Sequence, residues 1–229
     1  MRVHDRMTPN PVCVEPDALC SHALDLMHRK RLRRLPVIEA DDQLIGIVSE
    51  GDLRFLARGQ EDEARKRVRD VMMRDVVFVS PRETLEDAAR HLYVDRLRAL
   101  PVVDHGRVVG IITESDIFKV FLQMMGIAEH ALRISVELDD EPGQLHNLTG
   151  IIRAHGANIV SLVTVPSRDR AARILVLRVE PAIGESIGGL VDELRERGYR
   201  PACADGSIAE AEGSNEGEGG SGPGEDLRS

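Results

Sequence analysis

Two short phrases of this 229-residue chain set the same polar groups at the same spacing. "GIVSEGDL" runs from Gly46 to Leu53, and "GIITESDI" from Gly110 to Ile117. Ser49 and Thr113 carry a hydroxyl where a β-branched run hands over to a helix, and Asp52 and Asp116 follow three residues on. Ser/Thr-x-x-acid is a capping pattern, in which hydroxyl and carboxylate satisfy orphan amides of a helix's first turn. The same geometry suits a ligand. A helix N-terminus with a free hydroxyl attracts phosphate, and an aspartate one turn in accepts the two hydroxyls of a ribose, as acidic residues do in other nucleotide folds. Cap and ligand roles can coexist. Arginines precede each phrase: Arg31, Arg33 and Arg34 in the first copy, Arg96 and Arg98 in the second. Their guanidinium forks suit phosphate. The alternative is a solvated helix end, where cations are favoured anyway.

Other chemistries find little support. Gly46 and Gly51 have the outer spacing of a phosphate loop, but Asp52 stands where the lysine is required. "GEGGSG" (217–222) fits a dinucleotide fingerprint by letter only, since it lies in an acidic tail with no strand before it. The histidines are scattered (His22 and His28 are six apart, His146 and His155 nine), and no Ser/His/Asp arrangement is suggested. Cys13, Cys20 and Cys203 lack C-x-x-C spacing, which fits a reducing compartment and gives neither a zinc site nor a disulfide framework. A formal charge of −9 leaves no basic footprint for nucleic acid. No apolar run is long enough to span a bilayer, and "MRVHDRMTPNP" lacks the apolar core of a signal peptide. The expectation is a cytoplasmic protein with no catalytic centre, no metal and no required cofactor, apart from a magnesium ion that a nucleotide could carry.

The elements that must position these groups are written twice. At a shift of 65, "VHDRM" (3–7) meets "VRDVM" (68–72), "VCVEP" (12–16) meets "VFVSP" (77–81), and "RLRRLPVIE" (31–39) meets "RLRALPVVD" (96–104). The shift then drops to 64 at a polar turn, where a hairpin tolerates an indel. Each copy reads as a short strand (Val12–Val14; Val77–Val79) broken by Pro16 or Pro81, then a helix. Its inward residues are Ala23, Leu24 and Met27, or Ala88, Ala89 and Leu92. A hairpin turning at Asp41-Asp42 or His105-Gly106 follows, then a second helix from Ser49 or Thr113. This β-α-β-β-α unit of about 60 residues barely closes a core alone, so the two copies are expected to pack together. The charged stretch 59–67 reads as a solvated connector or helix tail.

From Ala131 the pattern changes. Leu132, Ile134, Val136 and Leu138 alternate with polar residues, as in a half-buried strand. Leu145, Leu148, Ile151 and Ile152 recur at helical spacing, and Gly156 stops that helix. The runs "NIVSLVTVP" and "ARILVLRVE" flank a turn at "SRDRA"; a helix around Ile187–Arg197 and a strand near Tyr199–Cys203 complete β-α-β-β-α-β. Residues 205–229 are Gly, Ser and Glu of low complexity, with seven acids and one base, and are expected to be disordered. That tail reads as a solvated extension or as a docking tail for a basic partner.

The stretches "RRLPVIEADDQLIGIVSEGDL" and "RALPVVDHGRVVGIITESDI", each with its Met-led start, resemble CBS domains paired as a Bateman module, over roughly residues 1–125. The resemblance implies an adenosine ligand such as AMP, ADP, ATP or S-adenosylmethionine between the two units. It puts the family's hydroxyl on Ser49 and Thr113 and its ribose-binding aspartate on Asp52 and Asp116. Arg33 and Arg34 match a phosphate-contacting basic pair of the gamma subunit of AMP-activated kinase. In the second copy Arg98 matches and Ala99 does not, so the first copy is the expected phosphate site. Backbone at Leu35–Pro36 and Leu100–Pro101 would hold the adenine edge. "VELDDEPGQLHNLTGIIRAHGANIVSLVT" resembles an ACT domain, over roughly 131–204, which implies a ferredoxin-like fold. Asn158 matches a position that binds the amino-acid ligand, Gly143 allows close backbone approach, and Leu138 and Asp140 depart from the pattern. An aspartate there repels a ligand carboxylate, which points to a different effector or to an oligomeric role. The order CBS–CBS–ACT is similar to bacterial acetoin-utilisation accessory proteins. The expected architecture is therefore α/β (α+β): CBS units at 1–64 and 65–128, an ACT unit at 130–204 and an acidic tail at 205–229. The implied function is regulatory, with a small-molecule ligand, a homodimer or larger homo-oligomer, and an enzyme encoded elsewhere as a regulated partner. A ligand-free scaffold or accessory subunit is the other reading.

Overall fold

The computed structural model describes residues 1–56, 66–127, 131–167, 172–182 and 187–203. The acidic tail and most of the charged connector and of the "SRDRA" turn lie outside the described residues. Two compact units divide at Gln123/Met124.

The first unit contains both repeats. Its first copy has helix α1 (Cys20–Lys30), the hairpin β2 (Arg34–Ile38) and β3 (Leu44–Ser49), and helix α2 (Glu50–Leu56). The second repeats this as α3 (Leu85–Val94), β4 (Ala99–Asp104), β5 (Arg107–Thr113) and α4 (Glu114–Met124). The turn residues Asp41, Asp42, His105 and Gly106 all have positive φ, which lets each hairpin close tightly. Ala23 and Met27, and Ala88 and Leu92, face the cores, while Leu24 and Ala89 are only partly buried.

Two features differ from the sequence expectation. Val12–Val14 and Val77–Val79 are not strands. Val14 makes a single parallel bridge to Val37, and Val79 one to Val102. Pro16 and Pro81 end each run two residues later and so leave no room for a ladder. The first strand is instead β1 (Thr8–Pro9), and it pairs antiparallel with β5 of the other copy (Thr8↔Ile111, Pro9↔Gly110). The second difference follows from that pairing: each copy's Met-led start sits in its neighbour's core. Val3 is fully buried among Val79, Leu85, Ala88 and Leu100, with Met7 packed against the same cluster. Val68 and Met72 join Val14, Met27, Leu35 and Leu53. Glycine makes the exchange fit. A Cβ on Gly110 would overlap the Met7 sulfur, and one on Gly46 would lie 2.6 Å from that of Met72 and 3.0 Å from the Met73 carbonyl. A larger residue at either position would have to push its methionine aside and crowd the Met73 or Thr8 carbonyl.

The second unit runs β6 (Leu132–Asp139), α5 (Gln144–Ala154), β7 (Asn158–Pro166), β8 (Ala172–Glu180), α6 (Ile187–Glu196) and β9 (Pro201–Cys203). The sheet order is β7-β8-β6-β9, with every pair antiparallel, which is the ferredoxin-like order. Ile134, Val136 and Leu138 meet Leu148, Ile151 and Ile152 of α5 and Leu190 and Leu194 of α6 in one core. Gly156 ends the α5 turn at φ +64°, a conformation costly for other residues. Leu145 differs from its expected inward place: it sits in the first turn of α5 and is 43% exposed.

A polar link joins the two helices of this unit. His155, capping α5, lies with Nε2 2.6 Å from Glu193 Oε2 of α6, and Arg197 donates to Glu193 Oε1 at 2.7–2.9 Å. The His155 hydrogen bond first, and Arg197 second, hold the Glu193 carboxyl below its ordinary range. A carboxylate with a depressed pKa stabilises the fold above its unfolded pKa and loses that contribution as pH falls through its folded value. The midpoint of the second unit is therefore expected to exceed that of Glu193→Gln at pH 6, with the gap closing below about pH 4. Thermal melts of both proteins across that range measure it, and a gap independent of pH would contradict the link.

Candidate functional site

Each repeated phrase folds into the same small structure. The Ser49 amide donates to Asp52 Oδ2 at 3.0 Å, its hydroxyl donates to the same oxygen at 2.6 Å, and the Asp52 amide donates back to Ser49 Oγ at 3.3 Å. Thr113 and Asp116 repeat these bonds at 3.0, 2.6 and 3.3 Å. The strand-to-helix corner is closed by one more backbone bond: the Glu50 amide donates to the Arg33 carbonyl, and the Glu114 amide to that of Arg98. In both copies Oδ2 is saturated by the cap. Oδ1 is the oxygen left over, with two lone pairs. Asp52 Oδ1 has no bond among the described residues, and Asp116 Oδ1 lies 4.0 Å from Lys119 Nζ.

Two clefts lie between the copies within the first unit. The larger, of about 600 Å³, holds Thr113 and Asp116 together with Thr8, Asn10, Arg31, Arg33, Arg34 and Arg98. The smaller, of about 250 Å³, holds Ser49 and Asp52 with Asp75, Arg34 and Arg96 against the apolar walls Ile47, Val76 and Leu97. Arginines of the first copy therefore face the hydroxyl and carboxylate of the second. Of the two arginines expected to serve Ser49 and Asp52, Arg33 lines the larger cleft, and Arg34 lines both. The exchanged leading segments add Thr8 and Asn10 to the larger cleft and Asp75 and Val76 to the smaller. Arg31 and Arg96 close their helices in the left-handed conformation (φ 55° each), which is uncommon for a residue with a side chain. Each also lines a cleft.

The expected adenine-edge contacts are backbone groups of β2 and β4. Leu35 and Leu100 are fully buried core residues, and the Pro36 and Pro101 carbonyls already accept from the Val14 and Val79 amides. None of the four lines either cleft. Residues that the sequence reading did not single out do line them: Thr8 and Asn10 in the larger, Asp75 and Val76 in the smaller. The duplicated Met-led start was the signal for both segments.

In the second unit the three expected effector residues do not come together. β6 and β7 both run antiparallel to β8, with Asp139 opposite Ala172 and Asn158 opposite Glu180. Asn158 therefore sits at one end of the sheet, and Asp140 and Gly143 at the other. Asp140 is held by Arg173 at 3.0 Å, and Gly143 precedes α5 at φ +94°. None of the three lines the two grooves of this unit, which share Arg197 and Tyr199. No group of three or more His, Cys, Asp or Glu fit to hold a metal occurs among the described residues. No described helix is long and apolar enough to cross a membrane.

The CBS domain family matches residues 3–59 and 68–123, one match on each repeat. The TTHA0829-like ACT domain family matches 131–201. The chain is a tandem CBS protein with an ACT domain. Both kinds of domain are regulatory modules. An inosine-5'-monophosphate dehydrogenase of Methanocaldococcus jannaschii is 34% identical over 109 residues, which is 47% of this chain and 21% of that enzyme. The chain spans 20–41% of the length of the curated relatives it matches, and the match to the dehydrogenases falls on the CBS region. Among solved structures, a candidate acetoin utilisation protein of Vibrio cholerae is 29% identical, covering 57% of this CBS–CBS–ACT chain and 97% of its own, with a TM-score of 0.52. CBSX2 of Arabidopsis thaliana, solved in complex with AMP, is 36% identical over 53% of this chain and 96% of its own, with a TM-score of 0.49.

Proposed function

We propose that this is a cytoplasmic, non-catalytic regulatory protein whose CBS pair binds an adenosine nucleotide in the larger cleft. The observation that carries the reading is one carboxylate, Asp116, held by its own cap through Oδ2 and lining a cleft that also holds Arg33, Arg34 and Arg98. Asp116 would accept the ribose hydroxyls, Thr113 would mark the helix N-terminus, and the arginines would take the phosphates. The volume lies within the range of about 300–1,000 Å³ usual for small-molecule sites. Ser49 and Asp52 offer the same grip in the smaller cleft, where Asp52 and Asp75 balance Arg34 and Arg96 and favour a ligand of lower charge. The ACT domain would bind a second small molecule or assemble the chain into a homodimer or larger oligomer. The protein would then act on an enzyme encoded elsewhere. Ligand in the cleft would bias that assembly only by its difference in affinity for the two states.

Calorimetry of the whole chain against AMP, ADP, ATP and S-adenosylmethionine tests the nucleotide reading. Binding of at least one is expected below ~1 mM, which corresponds to about −4 kcal/mol. No heat from any of the four would overturn it. For the ACT domain, an amino-acid thermal-shift panel that raises the midpoint supports an effector, and a flat panel favours assembly.

A further inference from the structure

Arg34 stands where the two clefts meet. It is the first residue of β2, opposite Ser49, and its counterpart Ala99 is the first of β4, opposite Thr113. Both residues line both clefts. The repeat thus brings two equivalent positions to one place, and only one carries a cation. The guanidinium is half-buried and forms no hydrogen bond or ion pair among the described residues. Desolvation first, and the neighbouring Arg98 second, push its pKa down; Asp52 of the smaller cleft and Glu114 of the larger oppose that shift. A partly desolvated cation without a direct partner gains most from an arriving anion. Five cations (Arg31, Arg33, Arg34, Arg98 and Lys119) and two acids (Glu114 and Asp116) line the larger cleft, whereas Arg34 and Arg96 are the cations of the smaller.

We propose that Arg34 is a single phosphate ligand shared by both clefts, so that a phosphorylated adenosine in one weakens the binding of a second in the other. The inference rests on the nucleotide reading and adds a regulatory consequence to it. A guanidinium fork turned toward a phosphate in the larger cleft is withdrawn from the smaller, which keeps only Arg96 against two acids. A second phosphate then meets a site with little cationic character. The coupling is reciprocal, because it is a property of the binding equilibria. A ligand without phosphate makes no claim on Arg34 and feels no coupling. The pair would therefore distinguish phosphorylated from unphosphorylated adenosine by stoichiometry as well as by affinity.

The test compares one cleft alone with the same cleft beside a filled neighbour. Asp116→Asn weakens the larger cleft at least tenfold, so AMP titrated into that variant below the larger cleft's raised Kd reports the smaller cleft beside an empty neighbour. Its affinity is expected to be about tenfold tighter than that of the second AMP step in the wild type, a difference of about 1.4 kcal/mol. Arg34→Met keeps the aliphatic stem, and combined with Asp116→Asn it is expected to erase that difference. Adenosine titrated in place of AMP is expected to show no difference in any background. Equal AMP affinity in the smaller cleft whether the larger is filled or empty would overturn the shared-ligand inference, while adenosine binding would leave the nucleotide reading standing. Failure of adenosine, AMP, ADP, ATP and S-adenosylmethionine alike to bind the wild type would overturn both. A coupling that persists in Arg34→Met would assign it to another group.

Discussion

Deletion of residues 1–10 is expected to unfold the second CBS repeat and spare the first. The segment precedes the first copy in the chain, yet its contacts belong to the other. Val3 is fully buried with Val79, Leu85, Leu100 and Ile112. The Val3 amide donates to the Glu83 carbonyl at 2.9 Å, and the Leu85 amide to that of Met1 at 3.1 Å. Met7 covers Gly110, and Thr8–Pro9 continues the sheet beside β5. Losing two apolar side chains costs about 1.5–3 kcal/mol each by burial, and losing the backbone bonds about 1 kcal/mol each. Together these rival the whole stability of a small domain, about 5–15 kcal/mol. Hydrogen exchange would resolve it: α3, β4 and β5 are expected to lose protection while α1, β2 and β3 retain theirs. Equal loss in both halves would mean that the two cores act as one. Loss confined to the first copy would refute the exchange of segments.

That exchange also marks what the sequence could and could not reveal. The hairpins and their turns were legible because β-branched runs and turn residues are local signals, written twice. The caps were legible for the same reason: Ser49 to Asp52 spans three residues, and no distant element is needed to close it. Partner choice is different. A tandem repeat offers every leading segment two equivalent hairpins, and Met7 and Met72, being the same residue at the same place, do not tell Gly46 from Gly110. The sites inherit this ambiguity: Arg33 lines the cleft of Asp116, and Arg34 lines that cleft and the one of Asp52. In the ACT domain the limit was register. Asn158 and Asp140 were read as one effector site, but the antiparallel pairing of β7 and β6 with β8 holds them at opposite ends of the sheet within one chain. Leu145 fits the helical period and still faces out, because the first turn of α5 projects beyond the core.

Replacement of Asp116 separates its two roles. The carboxylate holds the α4 cap through Oδ2 and, on the nucleotide reading, the ribose through Oδ1. Asp116→Ala removes both. Loss of the cap should lower stability by about 1 kcal/mol, and loss of two hydrogen bonds to a charged group should weaken the nucleotide by about 1.5–3 kcal/mol for each, at least tenfold in affinity. Asp116→Asn keeps a carbonyl oxygen that can accept from the Thr113 amide, so most of the cap survives. It has lost the charge, and its amide nitrogen donates where the ribose also donates. The asparagine variant should therefore melt near the wild type and still bind adenosine at least tenfold more weakly. Paired melts and titrations of the two variants give the answer. Wild-type affinity in Asp116→Asn would leave the carboxylate as a helix cap and nothing more, and the nucleotide would have to be held elsewhere in the cleft. Asp52→Asn carries the same logic to the smaller cleft, where the cap bonds have the same lengths but the charge around them is balanced. A smaller loss of AMP affinity is expected there than at Asp116, because fewer arginines act together with the carboxylate.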